Sequence, residues 1–112
     1  MKFVEKPFTV EEISDLKEQF GEYLKITADI ESGSVVVGCN LHADGEKILL
    51  EHGCRQENIW GGGIDLKNKE IDTTAVLNYR PNLSNNSMDI LDPKIREKFI
   101  SVVKNIFNTL WN

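Results

Sequence analysis

The sequence predicts an α+β domain, with two layers: an antiparallel or mixed sheet of four to five strands and helices on one of its faces. Three observations predict it. Apolar residues recur at helical spacing near both ends, at Val10–Phe20 and Ile95–Leu110. Between them the spacing drops to a period of two, at Leu24–Ile30 and Ile71–Arg80. The order that results is helix, two strands, a short middle element, two strands and a long helix, which packs most simply as helices on a sheet. A chain of 112 residues suits one domain over 1–112, and 40% apolar with 28% charged residues supplies a core and argues against disorder.

Lys2–Glu5 reads as a short edge strand ended by Pro7. Thr9 then has the chemistry of an N-cap, with Glu12 three residues on to complete a capping box and Phe8 with Ile13 as a hydrophobic staple. The helix should run over Val10–Phe20 on a stripe of Val10, Ile13, Leu16 and Phe20, and stop at Gly21. Leu24, Ile26, Ala28 and Ile30 alternate with polar residues as one wet-faced strand does. A turn at Glu31–Ser34 should join it to a second strand, Val35–Leu41, apolar enough to be covered on both faces.

Ala43–Glu51 reads as a short middle helix, in competition with a strand over Glu46–Glu51, because Gly45 weakens a helix by roughly 1 kcal/mol relative to Ala. Asn58–Ile64 holds Trp60 and the run Gly61–Gly63, which permits a bend or a close backbone approach. Ile71–Arg80 alternates as a strand, and RPNLSNNS is a loop. Asp92 as N-cap and Pro93 at the first helical position open the long C-terminal helix, expected to reach Leu110. Its apolar arc covers about 180°, more than one sheet face needs, so its flank is expected to meet a second copy in a homodimer.

A net charge of −5 with scattered Lys and Arg argues against a nucleic-acid partner. No apolar run approaches the roughly 20 residues of a membrane span, so no membrane partner is expected. The opening MKFVEKPFTV lacks the apolar region of a signal peptide. The expectation is therefore a cytoplasmic protein that begins here, with Cys39 and Cys54 as reduced thiols.

Chemistry concentrates in LHADGEKILLEHGC. On a strand His42, Asp44 and Glu46 share a face, whereas on a helix only His42 and Glu46 stack. A histidine beside carboxylates suits a divalent metal or a general base oriented by an acid. The bland alternative is that Asp44 caps a helix and His42 closes a strand. Cys39, His42, His52 and Cys54 form a two-Cys, two-His set for zinc, although the His52–Cys54 spacing is tighter than zinc modules use. Cys54 has His52 and Arg55 nearby to lower its pKa. Asn78 and Arg80 share a strand face, and with the loop residues Asn82, Asn85, Asn86 and Ser87 they offer an anion site. The bland alternative there is an Arg80 ion pair and asparagines that shape a turn. No phosphate loop, dinucleotide fingerprint or serine elbow is present in the sequence.

The stretches LHADGEKILL, QENIWG, NYRP and ILDPKIREK resemble an uncharacterised family of small bacterial and archaeal proteins carrying a domain of unknown function. The matching residues are His42, Asp44, Glu46, Gln56, Trp60, Gly61, Asn78, Arg80, Pro81, Asp92, Pro93 and Arg96, and the resemblance covers most of the chain. Cys39, His52 and Cys54 fall outside the pattern. The resemblance implies a single cytoplasmic domain and no particular reaction.

Two functions follow as expectations. One is a binding or interaction module whose polar groove takes an acidic small molecule or peptide through His42, Asp44, Glu46, Trp60, Asn78, Arg80 and Asn86. The other is a small hydrolase, metal-assisted or not, with His42 as base or ligand, Asp44 or Glu46 as ligand or acid, and Arg80 stabilising an anion. No cofactor is predicted beyond a divalent metal in the second case.

Overall fold

The computed structural model describes residues 1–111 and contains five strands and three α-helices. Strands β1 (Lys2–Val4), β2 (Tyr23–Asp29), β3 (Val35–Val37), β4 (Ile59–Asp65) and β5 (Glu70–Asp72) form one sheet in the order β1-β3-β2-β4-β5. Every pairing is antiparallel. The α+β class, the edge position of β1 and the β2–β3 hairpin are as the sequence predicts.

Helix α1 (Val10–Phe20) begins with the expected capping box: the Glu12 N–H donates to Thr9 Oγ1 at 3.1 Å, and the Thr9 N–H donates to Glu12 Oε1 at 2.9 Å. Ile13 and Leu16 are buried, whereas Val10, expected on the same stripe, is 62% exposed. Helix α3 (Pro93–Ile106) starts at Asp92, whose carboxylate accepts from the Lys94 N–H. It ends four residues before the expected Leu110, and a 3-10 turn over Asn108–Trp111 completes the chain's described part. Ile95, Val102 and Leu110, on the side of the helix expected to face the sheet, pack partly buried against the core, while Trp111, one of the two residues that widen the arc, is 40% exposed.

The layering differs from the expected two. Leu24, Ile26 and Ala28 of β2 join Phe99, Val103 and Ile106 of α3 and Ile13 and Leu16 of α1 in the main core. Helix α2 (His42–Glu51) settles the competition between helix and strand in favour of a helix, and it covers the other face. There Val36, Cys39, Leu49 and Ile59 form a second core. Thr27, on the strand face expected to be wet, is fully buried beneath α2. Gly45 explains the approach: a Cβ there would stand 2.6 Å from Thr27 Oγ1 and 3.2 Å from Cys39 Sγ. What weakens the helix locally is what lets it lie against the sheet.

Two strands are shorter than their sequence patterns. β3 stops at Val37 because Gly38 turns the chain with φ +79°, and Phe20 occupies the space where a Cβ would be. β5 stops at Asp72, and Val76–Asn78 is a 3-10 turn rather than the end of a strand to Arg80. The physical reason is Asn78. Its side-chain amide pairs with both backbone groups of Gly61 at 2.8 Å, so one residue does for that stretch of the β4 edge what a strand would otherwise do.

Candidate functional site

The glycine run of β4 is shaped by what lies on it. A Cβ at Gly62 would collide with Asp72 O and the Phe99 ring, on the α3 side. A Cβ at Gly63 would meet the Tyr23 hydroxyl, and one at Gly61 would come within 2.9 Å of the His42 ring. Gly61 and Gly63 therefore leave room for the His42 ring and the Tyr23 phenol to come close to the strand.

His42 is the first residue of α2, and its Nε2 lies 2.7 Å from Gly62 O. A carbonyl oxygen only accepts, so Nε2 carries the proton. Burial pushes the imidazole below its ordinary range, against the Gly62 bond, which favours the cation. Lys25 and Asp72 also act on the ring, in opposite directions. Lys25 Nζ donates to Asn40 O at 2.7 Å, and the Tyr23 hydroxyl donates to Asp72 Oδ2 at 2.7 Å. Burial first, then that bond, raise the Tyr23 pKa, so its proton is held.

Beside His42 opens a cleft of about 340 Å³ lined by Lys25, Leu41, His42, Ala43, Val76 and Leu77. Its walls are mostly apolar, and Leu41 and Val76 are 61% and 76% exposed. The N-cap of α2 is Leu41, which has no side-chain acceptor to offer. Asp44 N–H bonds to Leu41 O, while the N–H groups of His42 and Ala43 have no partner among the described residues. The first turn of α2 thus borders the cleft through Leu41, His42 and Ala43 and has no side-chain cap. A wider groove between Ile30 and α3 is lined by Glu31, Lys94, Glu97, Lys98 and Ser101, solvated charges of both signs.

The other residues singled out in the sequence are placed differently. Glu46, one turn on from His42, pairs with Arg80 at 3.1 Å, and Arg80 also donates to Gln56 O at 3.0 Å. The Arg80 guanidinium lies 5.1 Å from the Trp60 ring centroid, and Trp60 is 1% exposed. Burial lowers the Arg80 pKa and Glu46 opposes that shift. Asn78 is fully buried, and its Nδ2 also donates to Thr73 O and Met88 O. Asp44 and Asn86 are exposed. In the asparagine loop it is Asn85 that is buried, donating to Asn78 O and Asp89 O and accepting from the Leu91 N–H.

The zinc set is not assembled. Among the described residues no three His, Cys, Asp or Glu side chains are grouped to hold a metal ion. Cys39 is buried in the second core, His52 stacks on Phe3 with centroids 3.8 Å apart, and His42 is bound to Gly62. Cys54 is not an activated thiol either. Burial and then Asp29 push it up to about 11, while Arg55 pairs with Glu57 at 2.9 Å. Asp29 itself is raised by burial, but the hydrogen bonds from Cys54, Glu31 and Ser32 outweigh this and hold it below its usual range.

Sequence reasoning missed Tyr23, Lys25, Leu41, Asp72, Val76 and Leu77. The available signal was slight: two chemically distinctive residues, Tyr23 and Lys25, on one strand face, and Leu41 in a cap position without capping chemistry.

The fold and cleft define a small α+β protein with an antiparallel five-stranded sheet covered on both faces. No helix among the described residues is long and apolar enough to cross a membrane. The chain belongs to the family described as a protein of unknown function, DUF5674, whose model matches residues 2–106. This agrees with the resemblance to an uncharacterised family. No curated protein and no solved structure matches the chain.

Proposed function

We propose that this domain is a cytoplasmic binding module that takes a small acid with an apolar body in the cleft at the start of α2. The observation that carries the reading is an apolar cleft opening onto an uncapped helix N-terminus with a lysine on its wall. Leu41, Val76 and Leu77 offer contact to the apolar body. The N–H groups of His42 and Ala43, with Lys25, favour a carboxylate over a neutral or cationic group. The polar groove expected from His42, Glu46, Asn78 and Arg80 contributes only His42, because the others spend their hydrogen bonds inside the fold. Hydrolysis has less support: Glu46 neutralises Arg80, and Asp44 is exposed.

The test is an amide-shift titration of ¹⁵N-labelled protein with phenylacetate and, separately, benzylamine. The reading expects phenylacetate to bind with a Kd of about 1 mM, as a ligand this small can. Its shifts should cluster at Leu41–Asp44 and Val76–Leu77, and benzylamine should bind at least about tenfold more weakly. Equal binding of the two, no binding, or shifts centred elsewhere overturns it.

A further inference from the structure

We infer that His42 presents a bare Nδ1 acceptor to the cleft, so the acid received there carries an N–H or O–H donor on its apolar body. This inference rests on the cleft being the binding site and adds what the ligand must contain. The geometry supplies the argument. Gly62 O fixes the proton on Nε2, because a carbonyl has none to give. In the neutral ring the remaining nitrogen is then an acceptor. Nδ1 has no hydrogen-bond partner among the described residues, and it is not among the atoms sealed from solvent, where only Trp60 Nε1 lacks a partner. His42 is partly buried and lines the cleft, which is where the inference places that acceptor.

The ring is also held in place. It lies on Gly61, its helix is anchored by the Thr27 hydroxyl donating to His42 O at 3.1 Å, and Gly62 O fixes its far edge. Burial favours the neutral form, with Lys25 of β2 and Asp72 of β5 as the charges that act on the ring in opposite senses. The arrangement distinguishes partners by chemistry. An acid lacking a donor leaves Nδ1 desolvated and unpaired, which costs about a hydrogen bond's worth of affinity, or roughly fivefold. A ligand with a second acceptor there is disfavoured further.

Two measurements test this together. Long-range ¹H–¹⁵N correlation of the imidazoles at pH 7 should show His42 neutral, with a protonated Nε2 and a bare Nδ1. A cationic ring or the opposite tautomer overturns the inference. Phenylacetate is then compared with 3- and 4-hydroxyphenylacetate. At least one phenol should bind about fivefold tighter than the parent acid, and in His42→Phe that ratio should fall to about one, whatever the variant's own affinity for phenylacetate. His42→Gln, which keeps an N–H for Gly62 and an acceptor, should retain part of it, and this variant serves if His42→Phe does not fold. If all three acids bind the wild type equally, the donor requirement is wrong and the cleft reading survives. If none binds, both fall.

Discussion

Asn78 and His42 both meet the glycine strand β4, and they use their polar atoms in opposite ways. The Asn78 amide is fully buried and fully spent: Oδ1 accepts from the Gly61 N–H, and Nδ2 donates to Gly61, Thr73 and Met88 carbonyls. His42 makes one side-chain bond, to Gly62, and keeps one ring nitrogen unspent beside an open cleft. The same sequence neighbourhoods nominate both as ligand-binding residues. The structure separates them by asking how much hydrogen-bonding capacity remains once the chain has folded. A buried polar group with every bond made holds the fold together. A partly exposed one with a bond to spare is available to a guest.

The largest effect should come from spoiling the spent side. Asn78→Asp replaces the donor that faces three carbonyls with a carboxylate oxygen, and it should cost about 4 kcal/mol or prevent folding. Urea denaturation measures it, and near-wild-type stability would remove Asn78 from the structural side of the contrast. Glu46→Ala comes next. It leaves the Arg80 guanidinium, whose side chain is only 9% exposed, without its partner and should cost about 3 kcal/mol. Pairing it with Arg80→Met should recover much of that loss, since an apolar pair has no stranded charge.

Val76→Asp sharpens the contrast from the other side. The residue is 76% exposed, so stability should change by less than about 0.5 kcal/mol, while phenylacetate binding should weaken at least about tenfold. A change in stability without a change in binding would reverse the assignment. The smallest effect is a pH dependence. The folded-state pKa of His42 lies below its unfolded value of 6.5, so in the window between them the unfolded chain binds more protons. Stability should therefore be highest above 6.5 and fall as pH drops through the folded pKa, and His42→Phe should flatten that part of the curve. Asp29, whose carboxyl is held below its usual range, adds a separate loss at lower pH.

What was legible in the sequence was what is local. The Thr9–Glu12 box and the Asp92–Pro93 start are decided within one helical turn, and both form as read. The β2–β3 hairpin is set by the alternation and the turn between its arms. The alternation over Ile71–Arg80 misleads because Thr73 and Ala75 are buried by the returning loop, through bonds of Ala75 to Met88 and of Ile90 to Thr73, rather than by a longer strand. Glu46 and Arg80 are 34 residues apart, and their pairing depends on α2 crossing the sheet. Asn85 and Asn86 are chemically identical neighbours, and only the loop's path decides which is buried. The cleft was illegible for the same reason: Lys25, Leu41 and Val76 meet only after α2 lies over β2 and the 3-10 turn closes beside it.

The central claim is that the unspent polar groups at the start of α2, and not the spent ones around Asn78 and Arg80, receive a ligand. A crystal structure grown with phenylacetate tests it most directly. The account predicts the carboxylate at the His42 and Ala43 N–H groups within reach of Lys25, with the ring between Leu41, Val76 and Leu77. A phenylacetate bound through Arg80 with the Glu46 pair opened, or a cleft left empty at saturating concentration, would contradict it.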